Sequence, residues 1–462
     1  MRGAIAAGHP LTAEAGAAVL RAGGNAVDAC IAAAAVSWVC ESPLTGPGGG
    51  GFLLVHDARD GTTRLLDFFV AVPARPAEEA ELLELAVDFD GDTQQVFRTG
   101  PAAVAVPGVA RGLWEAHRRF GSRPWPELLA PAARLARDGV VLDGPRAYLH
   151  RILDPLLRHS PEGDALYGPG RALGEGERFV APELAETLDR LAADGPDVLH
   201  RGELAERIAA HVPLTLDDLA GYAAIEREPL AVPYRGGELR TNPPPSSGGR
   251  LIAVGLESLG EAVPGPLAIA RAMAAQEEAR SASPLKGTTH ISVLDGDGDA
   301  ASLSCSLGSG SGVVVPGTGI HLNNMLGEAD LAGAARPGER LASMMAPSLY
   351  LRDGRPRLVV GSAGSARLRG AILQVVANVA ARGLGVEEAV NAPRVHLEDG
   401  VAHCEDAAAA GELESAGYPV VRWRERNLFF GGVSAVEVRD DDGTLAAAGD
   451  PRRGGGAVVV VG

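Results

Sequence analysis

The sequence is short of the features that nucleic-acid-binding and membrane proteins need. Its 462 residues carry 42 lysines and arginines against 59 aspartates and glutamates, for a net charge of −17 and a pI near 5.1. This acidic balance argues against a basic surface for nucleic acid and against a polybasic membrane patch. The apolar run at residues 29–40 is too short to span a bilayer, and residues 1–9 lack the apolar core of a secretory signal. We therefore expect a cytoplasmic globular protein.

Cysteine is also scarce, which bears on metals and disulfides. The four cysteines are widely scattered, form no close CxxC pair and have no histidine partner at zinc spacing. We expect them to be separate buried thiols, and the sequence implies neither a metal nor another cofactor. They are Cys30, Cys40, Cys305 and Cys404.

What the sequence does contain is a threonine pair, Thr288 and Thr289, at the start of a strand-like run that follows a small, polar connector. A threonine hydroxyl is a poor nucleophile unless a base lies beside it, and the residue's own α-amine can act as that base if the chain is cut before the threonine. Gly287 has no side chain and so tolerates the strained backbone that such a cut needs. Taken alone, such a pair is far more often two ordinary strand residues than a nucleophile.

Two other glycine-rich stretches have structural interpretations. The run that begins at Pro47 leads into a strand and lacks the Gly-Lys-Ser/Thr of a phosphate loop, so nucleotide binding is disfavoured. In the motif NPPPSSGG at residues 242–249, Ser246 and Ser247 precede a helical pattern, and we expect a serine hydroxyl to cap that helix.

The motifs GTTHISVLDGDGDAASLSCS, NPPPSSGG, GGNAVDA and GSAGSARL together resemble the γ-glutamyltransferase family of N-terminal nucleophile hydrolases, over nearly the whole chain. The resemblance implies an α+β fold, a four-layer αββα sandwich, in which the glycine run at Pro47 is a tight loop beside the core sheet. It also implies a precursor that cleaves itself between Gly287 and Thr288. The products would be a large subunit, residues 1–287, and a small subunit, residues 288–462, with Thr288 as the catalytic nucleophile.

The same resemblance assigns supporting roles. The backbone N–H groups of Gly364 and Ser365 would form the oxyanion hole, and Ser306 would hydrogen-bond the nucleophile, although Ser306 is also compatible with a solvent-facing strand position. Glu328 and Ser343 would contact the substrate. Glu328 replaces the family's aspartate.

Several positions depart from the family pattern. Phe69 takes the place of the arginine that holds the glutamyl α-carboxylate, Met325 replaces a glutamine, and Leu307 follows Ser306 where an asparagine is usual. Ala342 replaces one of a serine pair. Losing the arginine removes a bidentate contact that phenylalanine cannot make. The segment 329–340 is too short for the lid of some members, so the resemblance implies an open pocket that favours hydrolysis over transfer.

We therefore predict a self-processing γ-glutamyltransferase-like amidohydrolase that cleaves γ-glutamyl (glutathione-type) amides through an acyl-threonine. Its partners would be a small-molecule amide and its own two subunits, with a dimer of these left open. Two alternatives remain at this point. One is a cephalosporin-acylase-like enzyme of the same fold acting on another acyl amide, and the other is an unprocessed, inactive member that binds an acidic metabolite.

Overall fold

The protein is described by a computed structural model, which covers residues 2–74, 80–89, 93–279, 288–327, 335–439 and 442–462. The strands of these residues are β1 (Gly3–Ala7), β2 (Gly50–Asp57), β3 (Thr62–Phe68), β4 (Leu83–Phe89), β5 (Thr93–Thr99), β6 (Val140–Val141), β7 (Arg178–Phe179), β8 (Ile225–Arg227), β9 (Leu230–Tyr234), β10 (Gly237–Thr241), β11 (Thr289–Asp295), β12 (Ala300–Ser306), β13 (Val314–Val315), β14 (Ile320–His321), β15 (Ser348–Arg352), β16 (Arg355–Ala363), β17 (Val395–Glu398), β18 (Val401–Cys404), β19 (Val420–Arg422), β20 (Gly432–Val438), β21 (Leu445–Gly449) and β22 (Gly456–Val460).

The helices of the same residues are α1 (Pro10–Arg21), α2 (Ala26–Cys40), α3 (Val109–Phe120), α4 (Trp125–Asp138), α5 (Gly144–Ile152), α6 (Asp154–Leu157), α7 (Pro161–Tyr167), α8 (Pro182–Asp194), α9 (Asp197–His200), α10 (Glu203–His211), α11 (Leu216–Ala220), α12 (Gly248–Leu259), α13 (Pro266–Glu278), α14 (Leu368–Ala380), α15 (Val386–Asn391) and α16 (Ala407–Ser415).

Two antiparallel sheets face each other at the centre of the molecule. Sheet I has the order β22-β1-β11-β12-β2-β3-β8 and sheet II the order β21-β20-β16-β15-β10-β9. Strands β11 and β12 pack across the interface on β16, with an apolar core between the sheets. Helices α1 and α2 cover sheet I, while α12 and α14 cover sheet II. This is the four-layer αββα sandwich, so the predicted fold class is confirmed.

Helix α2 lies on the strands that carry the candidate nucleophile. Its residues are small and apolar nearly all round, and all of them are buried. The helix begins with a capping box, in which the Asn25 side chain accepts from the Asp28 N–H at 3.0 Å and Asp28 accepts from the Asn25 N–H at 3.2 Å. Such a cap fixes the start of a helix whose end reaches the site at Glu41.

The turn between β11 and β12 is a hairpin, as the Asp-Gly-Asp-Gly pattern indicates. Asp295 accepts hydrogen bonds from the N–H groups of Asp297 and Asp299, each at 3.0 Å, and from the Ala26 N–H at 2.9 Å. Burial raises the pKa of Asp295 to about 6. The aspartate therefore ties the hairpin to the start of α2 and so holds β11 against the helical layer.

The four cysteines are all buried and free, which confirms the expectation of separate thiols. Within the described ranges, every helix is too short or too polar to cross a membrane.

Candidate active site

Thr288 lies immediately before β11, near the middle of sheet I. Strand β11 pairs with β12 so that Thr289 lies opposite Cys305, which places Thr288 opposite Ser306. Both residues are buried, with Thr288 3% and Ser306 2% exposed. Ser306 therefore does not face solvent, and its hydroxyl accepts from the Gly308 N–H at 2.8 Å.

A small cavity of about 20 Å³ brings together four of the predicted site residues. They come from distant parts of the chain: the start of β11, the end of β12, the segment before β15 and the loop after β16. The cavity gathers hydroxyl groups around Thr288 within an otherwise apolar wall. Its predicted members are Thr288, Ser306, Ser343 and Ser365.

The loop after β16 carries the predicted oxyanion-hole residues. Gly364 has φ 121° and Ser365 has φ 63°, and a 3-10 turn at Ser365–Arg367 runs directly into α14. A Cβ on Gly364 would lie 2.7 Å from the Gly431 Cα, so only glycine fits there. Main-chain N–H groups at the start of a helical segment favour a developing negative charge. The oxyanion-hole role of this loop stays a prediction.

The glycine run at the start of β2 packs directly on the strand that carries Ser306. A Cβ on Gly49 would lie 2.4 Å from the main-chain oxygen of Ser306. The neighbouring Gly51 pairs with Cys305 and Gly50 with Ser306 in sheet I. The run is therefore the predicted tight loop beside the core sheet.

The NPPPSSGG motif differs from its prediction in an informative way. Helix α12 begins at Gly248, and neither serine caps it with its side chain. Instead, the Ser246 hydroxyl donates to the Ser343 main-chain oxygen at 2.6 Å, and the Ser247 N–H donates to the same oxygen at 2.8 Å. The hydroxyl-cap prediction was wrong because this tertiary acceptor competes with the helix end. The motif clamps the segment that brings Ser343 to the cavity.

His290 lies between the sheets, two residues after Thr288. Its Nδ1 is 2.8 Å from the Ser304 hydroxyl and its Nε2 is 3.0 Å from the Ser292 hydroxyl. The Ser292 hydroxyl donates to the Ser434 main-chain oxygen of sheet II at 2.9 Å. Burial lowers the pKa of His290 to about 3, so the ring is neutral. This network links the strand of Thr288 to the facing sheet.

Two further motifs, NAPRVH at residues 391–396 and DPRRGGG at 450–456, meet beside the site through buried ion pairs. Arg394 donates to Asp450 at 2.6 Å, with both side chains 2% exposed, and Arg452 pairs with Asp450 and Glu405. Removing one partner of such a buried pair costs about 3–5 kcal/mol. The pairs fix the end of the chain at the edge of sheet I.

Comparison with known proteins identifies the family of this chain. The family model described as gamma-glutamyltranspeptidase matches residues 12–264 and 257–460, which is nearly the whole chain. The chain belongs to the γ-glutamyltranspeptidase family.

Relatives and solved structures agree with this. A glutathione hydrolase proenzyme of Pseudomonas aeruginosa is 32% identical, over 99% of this chain and 94% of its own length. An acylase ACY 1 proenzyme of Pseudomonas sp. (strain SE83) is also 32% identical, over 97% of this chain and 91% of its own length. A cephalosporin acylase from Bacillus halodurans has a TM-score of 0.85 at 26% identity, covering 100% of this chain and 96% of that one. The chain is accordingly a γ-glutamyltranspeptidase-like enzyme of the N-terminal nucleophile hydrolase fold.

Two of the positions that depart from the family pattern, Phe69 and Met325, line the cavity beside Thr288. Phe69 is 1% exposed and stacks on Phe52 with ring centroids 5.4 Å apart. The other apolar members of the wall are Met325, Met344, Met345 and Leu368. The described residues that line this cavity include no arginine or lysine. Of the remaining predicted site residues, Gly287 and Glu328 lie outside the described residues.

Sequence reasoning missed a second group of charged residues near Thr288. Glu41 is 4% exposed and accepts from the Thr289 hydroxyl at 2.6 Å and from the Thr12 hydroxyl at 3.1 Å. Arg453 lies beside the oxyanion loop, 3.4 Å from the position of a Cβ on Gly364. The one local signal was a carboxylate directly after the apolar run of α2.

The Ser246 clamp yields a prediction. Ser246→Ala removes the hydroxyl that bonds the Ser343 and Met345 main-chain oxygens, each of which keeps one other donor, the Ser247 N–H and the Asn242 amide. We expect the free energy of unfolding to fall by about 0.5–1.5 kcal/mol and KM to rise. Urea unfolding and steady-state kinetics measure both.

Ser247→Ala is the matched control, because the Ser247 hydroxyl is 3.3 Å from the same oxygen and the Ser247 N–H contact survives the change. Equal losses in the two variants would contradict the clamp.

Proposed function

We propose that this chain is a self-processing amidohydrolase that cleaves γ-glutamyl or similar small acyl amides with Thr288 as its nucleophile. The observation that carries the proposal is the convergence of Thr288, Ser306, Ser343 and Ser365 in one cavity. Cleavage between Gly287 and Thr288 would give subunits of residues 1–287 and 288–462. The relatives' names, which describe proenzymes, support a precursor of this kind.

Self-cleavage begins when the Thr288 hydroxyl oxygen adds to the Gly287 carbonyl carbon. The C–O bond forms as the C–N bond breaks, and the hydroxyl proton passes to the departing nitrogen. Water then hydrolyses the ester, which leaves a carboxylate on Gly287 and a free α-amine on Thr288.

Turnover uses that amine as its base. The amine accepts the hydroxyl proton, and the oxygen adds to the amide carbon of the substrate. The main-chain N–H groups of Gly364 and Ser365 would stabilise the oxyanion, and donors of this type contribute about 3–4 kcal/mol. The proton then passes to the leaving amine as the C–N bond breaks. Water releases the acyl group from Thr288.

A second candidate differs in the acyl group. Phe69, Met325, Met344 and Met345 line the cavity where a γ-glutamyl donor would need a cationic partner for its α-carboxylate. An acylase that prefers a less polar acyl chain fits this wall better. We expect kcat/KM to rise from γ-glutamyl to glutaryl to butyryl 4-nitroanilide, because each step removes a charge that the wall does not pair.

Phe69→Arg tests whether the missing cation causes the expected substrate preference. The variant should raise kcat/KM for the γ-glutamyl and glutaryl anilides relative to the butyryl anilide by about tenfold or more. Phe69→Leu, which changes size without adding charge, is the control. A wild-type enzyme that prefers γ-glutamyl anilide would reject the acylase candidate and keep the γ-glutamyl one.

We also propose that hydrolysis exceeds transfer, since the segment 329–340 is short. Anilide release should then keep the same rate when glycylglycine is added as an acceptor. A clear acceleration would show that transfer, rather than hydrolysis, is favoured.

The alternative of an unprocessed, inactive protein predicts one uncut band on a denaturing gel.

A further inference from the structure

A second cavity, of about 30 Å³, opens at the end of sheet I where β11 begins. Among the described residues, Thr288 is the one that lines both this cavity and the first. Gly8, which follows β1, and Gly455, which precedes β22, also line it. The cavity therefore lies where the ends of these strands meet the start of β11. Its charged members are Glu41, Arg146, Asp450, Arg452 and Arg453.

The alternation of side chains along β11 shows which part of Thr288 faces the second cavity. The Thr289 side chain points to the helical layer, where it bonds Glu41, whereas His290 points to sheet II, where its ring would contact a Cβ on Gly361. The Thr288 side chain therefore shares the face of His290. Its main-chain nitrogen lies at the strand end. Cleavage before Thr288 would leave the α-amine at the second cavity.

Glu41 is the carboxylate of this cavity that hydrogen-bonds β11, at the residue next to Thr288. Its two oxygens accept separate hydrogen bonds from the hydroxyls of Thr289 and Thr12, an arrangement that suits the ionised form. Burial raises the pKa of Glu41, and the Arg146 guanidinium and the two hydroxyls oppose that rise. The Cys40 and Cys305 thiols also face it. Burial raises the pKa of each of them, so both stay neutral.

The two arginines near the Glu41 carboxylate differ in whether another carboxylate pairs with them. Arg146 pairs with Asp143 at 3.0 Å. Arg453 forms no ion pair with any described residue, and its buried Nε has no hydrogen-bond partner there. Burial and the nearby Arg367 lower the pKa of Arg453 to about 10, while Asp450 and Glu41 oppose that fall. Among the described residues, Glu41 and Asp450 are thus the carboxylates that offset the positive charge of Arg453 beside the oxyanion loop.

We propose that Glu41 is a positioning residue for the α-amine of Thr288, whose negative charge keeps that amine basic against the positive charge of Arg453. Glu41 acts through its contact with Thr289 and through its field, without touching the substrate. This inference rests on the proposed function, because the amine exists only in a cleaved chain.

The pH dependence of kcat/KM tests the proposal. Its acidic limb reports the pKa of the catalytic base in the free enzyme. A neighbouring carboxylate raises the pKa of an amine, so Glu41→Gln should lower it and move the acidic limb down by about one pH unit. Arg453→Gln should move the limb up by a similar amount, and Glu41→Asp should restore the wild-type position.

Arg21→Gln removes the same charge as Arg453→Gln from the exposed far end of α1, and it should leave the limb in place. Limbs that stay fixed in both test variants, or that move in the same direction, would overturn the proposal. If Glu41→Gln fails to fold or to cleave, an acidic limb that does not move up in Arg453→Gln would still overturn the proposal.

A denaturing gel of the wild type and of each variant distinguishes a failure of the proposed function from a failure of the role of Glu41. Uncut wild-type protein would contradict the proposed function itself. Cleaved wild-type protein with opposite shifts in the two variants supports the role of Glu41, and cleaved protein without them rejects only that role.

Discussion

Thr288→Ala is expected to leave the chain in one piece and to reduce amide hydrolysis by about 10⁴-fold or more. The Thr288 hydroxyl both cuts the chain and forms the acyl intermediate in the proposed mechanism, so one substitution should remove both activities. Wild-type protein should give fragments of 287 and 175 residues, and the variant a single chain of 462. Intact mass spectrometry and the anilide assay measure the two effects together.

Thr289→Ala is the control for Thr288→Ala, because it removes a neighbouring hydroxyl, bonded to Glu41, and leaves the nucleophile in place. It should still be cleaved. Cleavage of Thr288→Ala at the usual position, or full activity without cleavage, would contradict the mechanism.

The second large effect concerns the oxyanion loop. Gly364→Ala would put a Cβ 2.7 Å from the Gly431 Cα at a φ of 121°, so the loop must move. Misplacing the donors should lower kcat by about 10²–10³-fold, the usual loss when such a hydrogen bond is removed. Turnover of cleaved enzyme, assayed on the anilide that the wild type prefers, gives kcat directly.

Ser365→Gly makes the opposite change in the same loop. Ser365 has φ 63°, which glycine adopts without strain, and the main-chain N–H is retained. We expect activity close to that of the wild type. A loss as large as that of Gly364→Ala would show that the Ser365 side chain, rather than its main chain, is what the site needs.

Local patterns sufficed for elements that local physics determines. The apolar run of α2, the Asn25 cap and the Asp-Gly turn after β11 are all dictated by residues within a few positions of one another. The αββα class and the grouping of Thr288, Ser306, Ser343 and Ser365 came from the family resemblance, since nothing local brings those residues together.

What the sequence could not supply depends on pairings across long stretches of chain. Strand β10 pairs with β15 although Leu239 and Tyr350 are more than a hundred residues apart. The Ser246 hydroxyl bonds the Ser343 oxygen, rather than a helix N–H, for the same reason. The contact between Glu41 and Thr289 forms only because α2 packs on β11, a pairing that the sequence does not reveal. Phe69 was identified as a departure, but its apolar neighbours Met344 and Met345 were not.

N-terminal sequencing of the small fragment in catalytically active wild-type protein tests self-cleavage before Thr288. We predict a fragment that begins at Thr288, with the sequence Thr-Thr-His-Ile-Ser. Active protein in which residue 288 is still joined to Gly287, or a fragment that begins elsewhere, would contradict it.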